Sequence, residues 1–255
     1  MMRASSIRTI RCTFCLFAST LLVTSCSGKT DQAGGTLLVR KIVDSAGPRD
    51  PWGKAVGDVN GDGRIDLIVG GHDGGGLVWY ENPSWRKHVI LDSGEFSTDH
   101  EVAEIDGDGK NGVVSLMREK IVWFRNDGHD GWTMSEIDHQ RLHDVEVVDL
   151  DSDGRLDVVA LGQSAFANAG HTLFLYFQRD NGWERRHTEI APGEGLKVAD
   201  IDRDGKADVA INGNWLKNPG VAGGKWDNVL LHQPGRGRMY SLTWAISTQT
   251  VVSTS

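Results

Sequence analysis

Residues Asp58 to Gly70 read DVNGDGRIDLIVG, and this stretch decides the fold. Side chains that carry oxygen stand at its first, third, fifth and ninth positions, and Gly63 stands at the sixth. This spacing is typical of a loop around Ca²⁺, because calcium takes about six to eight oxygen ligands and glycine permits the sharp turn. The aliphatic run that follows, Leu67 to Gly70, predicts a β-strand and not a helix.

The pattern occurs four times, starting at Asp58, Glu104, Asp149 and Asp200, at intervals of 45 to 51 residues. Each loop is preceded by a short alternating segment. It is followed by an aliphatic run, a second run that usually carries aromatic residues, and a third run opened by Trp. Four strand-like runs repeated every ~45 residues are typical of β-propeller blades. We therefore predict an all-β fold, a β-propeller with four four-stranded blades at about 52–93, 94–138, 139–190 and 191–231.

A fifth segment resembles only part of a blade. Residues 36–45, TLLVRKIVDS, are similar to residues 85–93, WRKHVILDS, which form the last run of the first blade. We predict an N-terminal clasp strand here, because such a strand can complete a blade and cover an open sheet edge. The repeats therefore extend over residues 36–231. The tail at 232–255 does not continue them, which suggests a truncated seven-bladed ring or a frame-shifted end.

The N-terminal residues predict export. Residues 1–25 combine three arginines with an apolar stretch at 12–23 that is too short to span a bilayer, as in a signal peptide. The sequence VTSC that ends at Cys26 resembles the bacterial lipobox, in which the cysteine receives lipid. We expect a lipoprotein with lipid on Cys26, a linker over 26–35 and a place in the bacterial cell envelope. The resemblance favours the outer membrane, because Ser27 and not Asp follows the cysteine.

The amino-acid composition limits which binding partners the protein can have. The net charge is −8, which argues against a nucleic-acid partner. All three cysteines lie within residues 12–26, so the chain after Cys26 has no disulfide to stabilise it. Bound calcium is a natural substitute, and the membrane is a partner through the lipid.

Three of the four loops have the complete calcium pattern, and the second is degenerate because Gly112 replaces the last acid. An EF-hand is excluded, because it needs a Glu at position 12 and flanking helices. Structural Ca²⁺ is therefore expected, and the backbone carbonyl of the seventh residue is also expected to act as a ligand. The predicted ligands are Asp58, Asn60, Asp62, Arg64 and Asp66; Glu104, Asp106 and Asp108; Asp149, Asp151, Asp153, Arg155 and Asp157; and Asp200, Asp202, Asp204, Lys206 and Asp208.

Together these features resemble the FG-GAP/VCBS repeats of integrin-α-like propellers. The segment VWYENP, with the Trp-opened run after it, is similar to bacterial VCBS-repeat lipoproteins. It also resembles, more weakly, the propeller of aldos-2-ulose dehydratase-type proteins. The resemblance covers residues 36–231 and implies a propeller with calcium in the loop between the first and second strands. It says little about activity.

No catalytic motif is complete. Aligning the repeats places charged residues near the start of the first strands, where a propeller lines its channel. The weak catalytic candidates are His100, Glu101, His143 and Asp144. Two functions remain open: an extracytoplasmic binding module for a carbohydrate or protein ligand, and a carbohydrate lyase or dehydratase at the channel mouth. The repeated Trp79, Trp123 and Trp215 are expected in the core between blades, with sugar platforms as the alternative, and His88 is expected on a strand surface.

Overall fold

The computed structural model describes residues 40–162 and 170–230, which form sixteen strands and no helix. Blade 1 contains β1 (Pro51–Gly57), β2 (Asp66–Gly71), β3 (Gly76–Glu81) and β4 (Arg86–Leu91). Blade 2 contains β5 (Phe96–Ala103), β6 (Gly112–Met117), β7 (Lys120–Gly128) and β8 (Gly131–Asp138). Blade 3 contains β9 (Leu142–Val148), β10 (Asp157–Gly162), β11 (Gly170–Arg179) and β12 (Gly182–Gly193). Blade 4 contains β13 (Lys197–Ala199), β14 (Asp208–Ile211), β15 (Asn214–Lys217) and β16 (Asp227–Leu230).

Within each blade the strands pair antiparallel in chain order. The first strands of blades 1 and 2 also meet in parallel, at Lys54 and Asp99, so these two blades share one eight-stranded sheet. Every Asp loop joins the first strand of a blade to the second. The prediction of an all-β propeller with four four-stranded blades is confirmed.

Apolar side chains fill the space between consecutive blades. One buried cluster, with Ile68, Trp79 and Phe124, joins blades 1 and 2. Equivalent clusters join blades 2 and 3 and blades 3 and 4. Trp79 is only 5% exposed and Trp123 packs against the next cluster, so the core interpretation of these tryptophans is confirmed.

A side-chain amide crosses each of these three junctions at the same place. It lies at the end of the third strand, and it donates to the second backbone carbonyl of the preceding Asp loop. The three bonds are Asn126 Nδ2 to Val59 O (3.0 Å), Gln178 Nε2 to Ile105 O (2.9 Å) and Asn218 Nδ2 to Leu150 O (2.8 Å). Because an unpaired buried carbonyl is costly, each amide helps to fix the blade that follows.

The clasp segment differs in detail from the prediction. Residues 40–50 form no strand, and 36–39 lie outside the described residues. Asp44 nevertheless accepts a hydrogen bond from Tyr80 Oη (2.9 Å), as Asp138 of blade 2 does from Tyr176 Oη (3.0 Å). The segment thus lies against blade 1 where the outer strand of a preceding blade would lie.

The predicted signal peptide, Cys26, the linker over 26–35 and the tail at 232–255 lie outside the described residues and stay predictions. Within the described ranges no helix is long and apolar enough to cross a membrane.

Candidate functional sites

The first residue of an Asp loop shapes the turn. Asp58 accepts hydrogen bonds from the backbone N–H groups of Gly61 (2.8 Å), Asp62 (3.1 Å) and Gly63 (2.8 Å). Asp149 and Asp200 bind the corresponding amides of their own loops. Gly63 has a φ of 80°, a conformation that glycine adopts without strain.

The last aspartate of a loop is buried and accepts hydrogen bonds from two backbone amides. Asp157 is fully buried, and its two oxygens accept from the amides of Leu150 (2.9 Å) and Gln178 (2.8 Å). Asp66 and Asp208 do the same in blades 1 and 4. The carboxylate therefore ties the loop to the end of the third strand, and we name this last aspartate of a loop the loop clip. The sequence pattern alone did not separate this role from metal binding, and Gly112 cannot perform it in blade 2.

Acidic oxygens converge in three of the four loops. Within the described chain, three carboxylates can place oxygens within 4.8 Å of one another in each of three groups: Glu104, Asp106 and Asp108; Asp149, Asp151 and Asp157; and Asp200, Asp202 and Asp208. The first loop is not among these acidic groups, since its third residue is Asn60. In the third loop Asp151 Oδ1 is buried without a hydrogen-bond partner. An unpaired buried carboxylate oxygen beside two others fits a hard cation such as Ca²⁺.

Cationic side chains also reach the loops. Arg179 lies 2.9 Å from Asp151 and 3.3 Å from Asp153, and Lys217 pairs with Asp202. The side-chain hydrogen bond from Arg155 lowers the pKa of Asp153, although partial desolvation opposes it. Part of the loop charge is therefore balanced by the protein itself.

The first strands carry a different acidic group. We name Asp99, Glu101, Asp144 and Glu146 the inner-strand carboxylates; they lie on β5 and β9. They link neighbouring blades, since Asp99 accepts from Val145 N (3.1 Å) and Asp144 accepts from Gly195 N (3.2 Å). Glu146 pairs with Lys197 of blade 4.

Burial dominates the titration of these carboxylates. Desolvation, with repulsion from Glu146 and Asp99, raises the pKa of Glu101 to about 8. Desolvation also raises the pKa values of Asp99 and Glu146. For Asp144 desolvation acts in the same direction, but the hydrogen bond from His143 (3.2 Å) and backbone amides lower its pKa overall. Glu101 therefore keeps its proton at neutral pH, so it can act as a proton donor.

The four catalytic candidates do not form one group. His143 and Asp144 are in contact, and Glu101 belongs with the inner-strand carboxylates. His100 points elsewhere: it is 1% exposed, packs beside Phe96 and lies so close to Gly53 and Gly70 that a Cβ there would overlap its ring. Burial, with repulsion from Lys54, lowers the pKa of His100 to about 3, so it stays neutral. The expected place of His100 at the channel mouth is not observed.

A cleft of about 410 Å³ lies on the Asp-loop side between blades 1 and 2. His88 is 7% exposed there, stacks on Trp79 at 4.0 Å and lies 2.6 Å from Asp130. The expectation that His88 is a surface residue is therefore wrong. Its partner Asp130 comes from the next blade, and strand alternation does not reveal such a contact.

A second cleft, of about 310 Å³, opens on the face opposite the Asp loops, and we name it the opposite-face cleft. Three blades contribute to it. Blade 1 supplies Trp52 and His72, whose rings lie 4.0 Å apart, and Arg118 comes from blade 2. Arg141 precedes β9, the first strand of blade 3, and His143 is the second residue of β9, so the cleft adjoins the inner-strand carboxylates.

Comparison with known proteins agrees with this architecture. The family model of the FG-GAP-like repeat matches residues 58–115 and 149–211. The chain therefore carries FG-GAP-like repeats, and these repeats form propeller blades. No curated protein matches the sequence.

Solved structures are also similar. One is a lectin of Agrocybe aegerita, described for specific recognition of non-reducing terminal N-acetylglucosamine, with 16% identity and a TM-score of 0.47 over 71% of this chain. Another is the V. cholerae biofilm matrix protein Bap1, with 18% identity and a TM-score of 0.43 over 69% of this chain. The match spans 52% of the lectin chain and 30% of the matrix protein chain.

Proposed function

We propose that this protein is a lipid-anchored, calcium-stabilised β-propeller that acts as a binding module outside the cytoplasm. The observation that carries the binding role is the opposite-face cleft, where aromatic and cationic side chains from three blades converge. Ligand sites are concave and combine apolar walls with a few polar groups. Trp52 and His72 supply aromatic surface, and Arg141 supplies a planar guanidinium donor. Arg118 also lines the cleft, where it pairs with Glu95 at 3.0 Å.

Calcium would have a structural role. Asp149, Asp151 and Asp157 would hold it in the third loop, with the equivalent residues in the other loops. The unpaired buried oxygen of Asp151 supports this assignment. When bound, the ion would supply positive charge that offsets the repulsion between these carboxylates. The loops themselves would then keep the first and second strands of each blade in register.

The lipid anchor rests on the sequence. Intact-mass measurement of the chain from a bacterial membrane fraction would show cleavage before Cys26 and an added diacylglycerol and acyl chain. The matched variant Cys26→Ser would appear in the soluble fraction without the added mass. An unmodified Cys26 in the wild-type protein would contradict the anchor.

The ligand proposed for the opposite-face cleft is a carbohydrate, with acidic sugars favoured. Ring faces stack on sugars, and guanidinium groups donate paired hydrogen bonds to carboxylates. Calorimetric titration with neutral and uronic-acid oligosaccharides tests this proposal. We expect Arg141→Ala to weaken uronate binding by about tenfold or more, because a charge-assisted hydrogen bond contributes ~1.5–3 kcal/mol.

Arg86→Ala is the matched control, since Arg86 is an exposed arginine that lines the cleft on the Asp-loop side. A loss of binding in Arg86→Ala but not in Arg141→Ala would move the site to that cleft. Binding of a protein without any binding of sugars would replace carbohydrate by protein as the ligand.

A second candidate function is a carbohydrate lyase or dehydratase. The observation that favours it is the raised pKa of Glu101 among the inner-strand carboxylates, one of which, Asp144, pairs with His143, since proton transfer needs groups that titrate near working pH. Turnover of uronate polysaccharides or keto-sugars, abolished in Glu101→Gln with binding retained, would support it. Equal turnover in the variant and the wild type would reject the role of Glu101.

A further inference from the structure

The four Asp loops contain different numbers of acidic side chains. The first and second loops have three each, and the third and fourth have four. In every loop the cationic residue at the seventh position pairs with the acid at the fifth. These pairs are Arg64 with Asp62 (3.2 Å), Lys110 with Asp108 (2.9 Å), Arg155 with Asp153 (2.7 Å) and Lys206 with Asp204 (3.7 Å). This local pair is common to all four loops, so it does not distinguish them.

The third loop receives a second cation from the last residue of the third strand of its blade. Arg179 ends β11, and its guanidinium lies 2.9 Å from Asp151 Oδ2 and 3.3 Å from Asp153 Oδ2. The side chain of Asp151 is only 9% exposed, and its other oxygen, Oδ1, is buried without a hydrogen-bond partner. Arg179 therefore holds one oxygen of this carboxylate and leaves the other available to an ion.

The fourth loop receives its second cation in the same way. Lys217 ends β15, and its ammonium pairs with Asp202 and lies 3.1 Å from Asp204 Oδ2. The ammonium thus contacts two of the carboxylates that are predicted calcium ligands. Arg203 of the same loop is exposed and pairs with none of the loop acids within the described residues.

The first blade has neither the additional acid nor the additional cation. Its loop has Asn60 at the third position, and the last residue of its third strand is Glu81, which pairs with Arg86 and His88. In the loops with the complete calcium pattern, an acid at the third position is therefore accompanied by a cation at the end of the third strand. Acids outnumber paired cations by two in all four loops of the described chain, and two charges are what one Ca²⁺ ion neutralises.

We propose that Arg179 and Lys217 are internal counter-cations that set how tightly the third and fourth loops bind calcium. This inference rests on the proposed binding of calcium by these loops. When the ion is absent, each cation reduces the repulsion between the loop acids and keeps the loop folded. When the ion is bound, the same cation repels it and competes for ligand oxygens, so the affinity for calcium is lower than the acids alone would give. The two loops therefore stay ordered without calcium and bind it reversibly.

Calorimetric titration of the purified chain with Ca²⁺ tests the proposal. We expect Lys217→Met to raise the affinity of one site by about tenfold or more, because solvent screens only part of the repulsion between a nearby positive charge and the ion. Arg179→Gln should do the same for a second site. Adding Asp202→Ala to Lys217→Met should abolish the gain, which would assign it to the fourth loop. Lys225→Met is the matched control, since Lys225 is exposed in the same blade and pairs with no acid in the described ranges.

Thermal unfolding provides a measurement that does not need the ion. In EDTA, Lys217→Met should melt about 2–4 °C below both the wild type and Lys225→Met, because the loop acids lose their counter-charge. With saturating Ca²⁺ this difference should disappear.

The outcomes separate this proposal from calcium binding itself. Equal calcium affinities of the wild type and Lys217→Met, or an equal gain in Lys225→Met, would overturn the role of the counter-cations and leave calcium binding in place. Absence of calcium binding in the wild type and in every variant would overturn both. Calcium binding in Lys217→Met but not in the wild type would support the counter-cation role.

Discussion

Two groups of carboxylates, those of the Asp loops and the inner-strand carboxylates of blades 2 and 3, differ in how many backbone amides reach them. In the Asp loops, carboxylates such as Asp58 and Asp157 accept hydrogen bonds from backbone amides. Among the inner-strand carboxylates, Glu101 is mainly desolvated, and its pKa rises to about 8. Desolvation also raises the pKa of Asp157, to about 6, but the hydrogen bonds from the amides of Gln178 and Leu150 oppose that rise. The number of donors that reach a buried carboxylate therefore decides how far burial displaces its pKa.

The largest effect is expected from removing a loop clip. Asp157→Ala leaves the buried amides of Leu150 and Gln178 without their acceptor. Because each unsatisfied buried donor costs ~1–3 kcal/mol, we expect a loss of about 4 kcal/mol. Urea denaturation measures it. Asp180→Ala is the control, since Asp180 is 92% exposed. Similar stabilities of the two variants would show that the clip is not structural.

The effect of Ca²⁺ on thermal stability tests whether the same loops bind the ion. Adding free Ca²⁺ to about 100 times its dissociation constant should stabilise the fold by ~2.7 kcal/mol per site, and EDTA should reverse the gain. Asp151→Ala should remove the contribution of the third loop, because it deletes a ligand oxygen that is buried and unpaired. Thermal unfolding with Ca²⁺ and with EDTA is the measurement. Identical melting temperatures under the two conditions would reject calcium binding.

Substitution of Glu101 should change stability in the opposite direction from substitution of a loop carboxylate. The raised folded pKa of Glu101 means that the folded state keeps a proton which the unfolded chain releases above about pH 4.5. Stability is therefore lost as pH rises from about 4.5 to 8. Glu101→Gln should remove this loss and raise stability at pH 8 by ~2–3 kcal/mol, with little change at pH 4. A variant whose stability follows the wild-type pH profile would show that Glu101 titrates normally.

The smallest expected effect concerns the degenerate loop. Gly112→Asp restores the aspartate that the other loops share, yet we expect it to destabilise the protein by ~1–2 kcal/mol. A Cβ at residue 112 would lie 2.5 Å from Trp123 Nε1 and 2.7 Å from Phe124 O, so the indole or the backbone must move. Denaturation of the variant with and without Ca²⁺ shows whether the substitution lowers or raises the stability of the protein. A gain in stability would show that the loop accepts the clip.

Much of the fold could be predicted because the signals are local. The Asp loops and the alternating runs around them are contiguous, so they predicted all sixteen strands as four blades. The clasp segment was recognised by similarity, but whether it forms a strand depends on an edge elsewhere in the molecule. The burial of His88 and His100 was not predictable, since their neighbours lie on other strands or on the next blade.

The sequence by itself determined the repeat, the blades and the acidic loops for which calcium is proposed, because spacing of oxygen donors and strand alternation are properties of short segments. The tertiary structure alone decided which carboxylates act as clips and which keep a proton. It also decided which side chains line a cleft. These properties depend on desolvation and on donors from neighbouring strands or blades. Asp157 reaches an amide 21 residues away, and Asp99 reaches one 46 residues away.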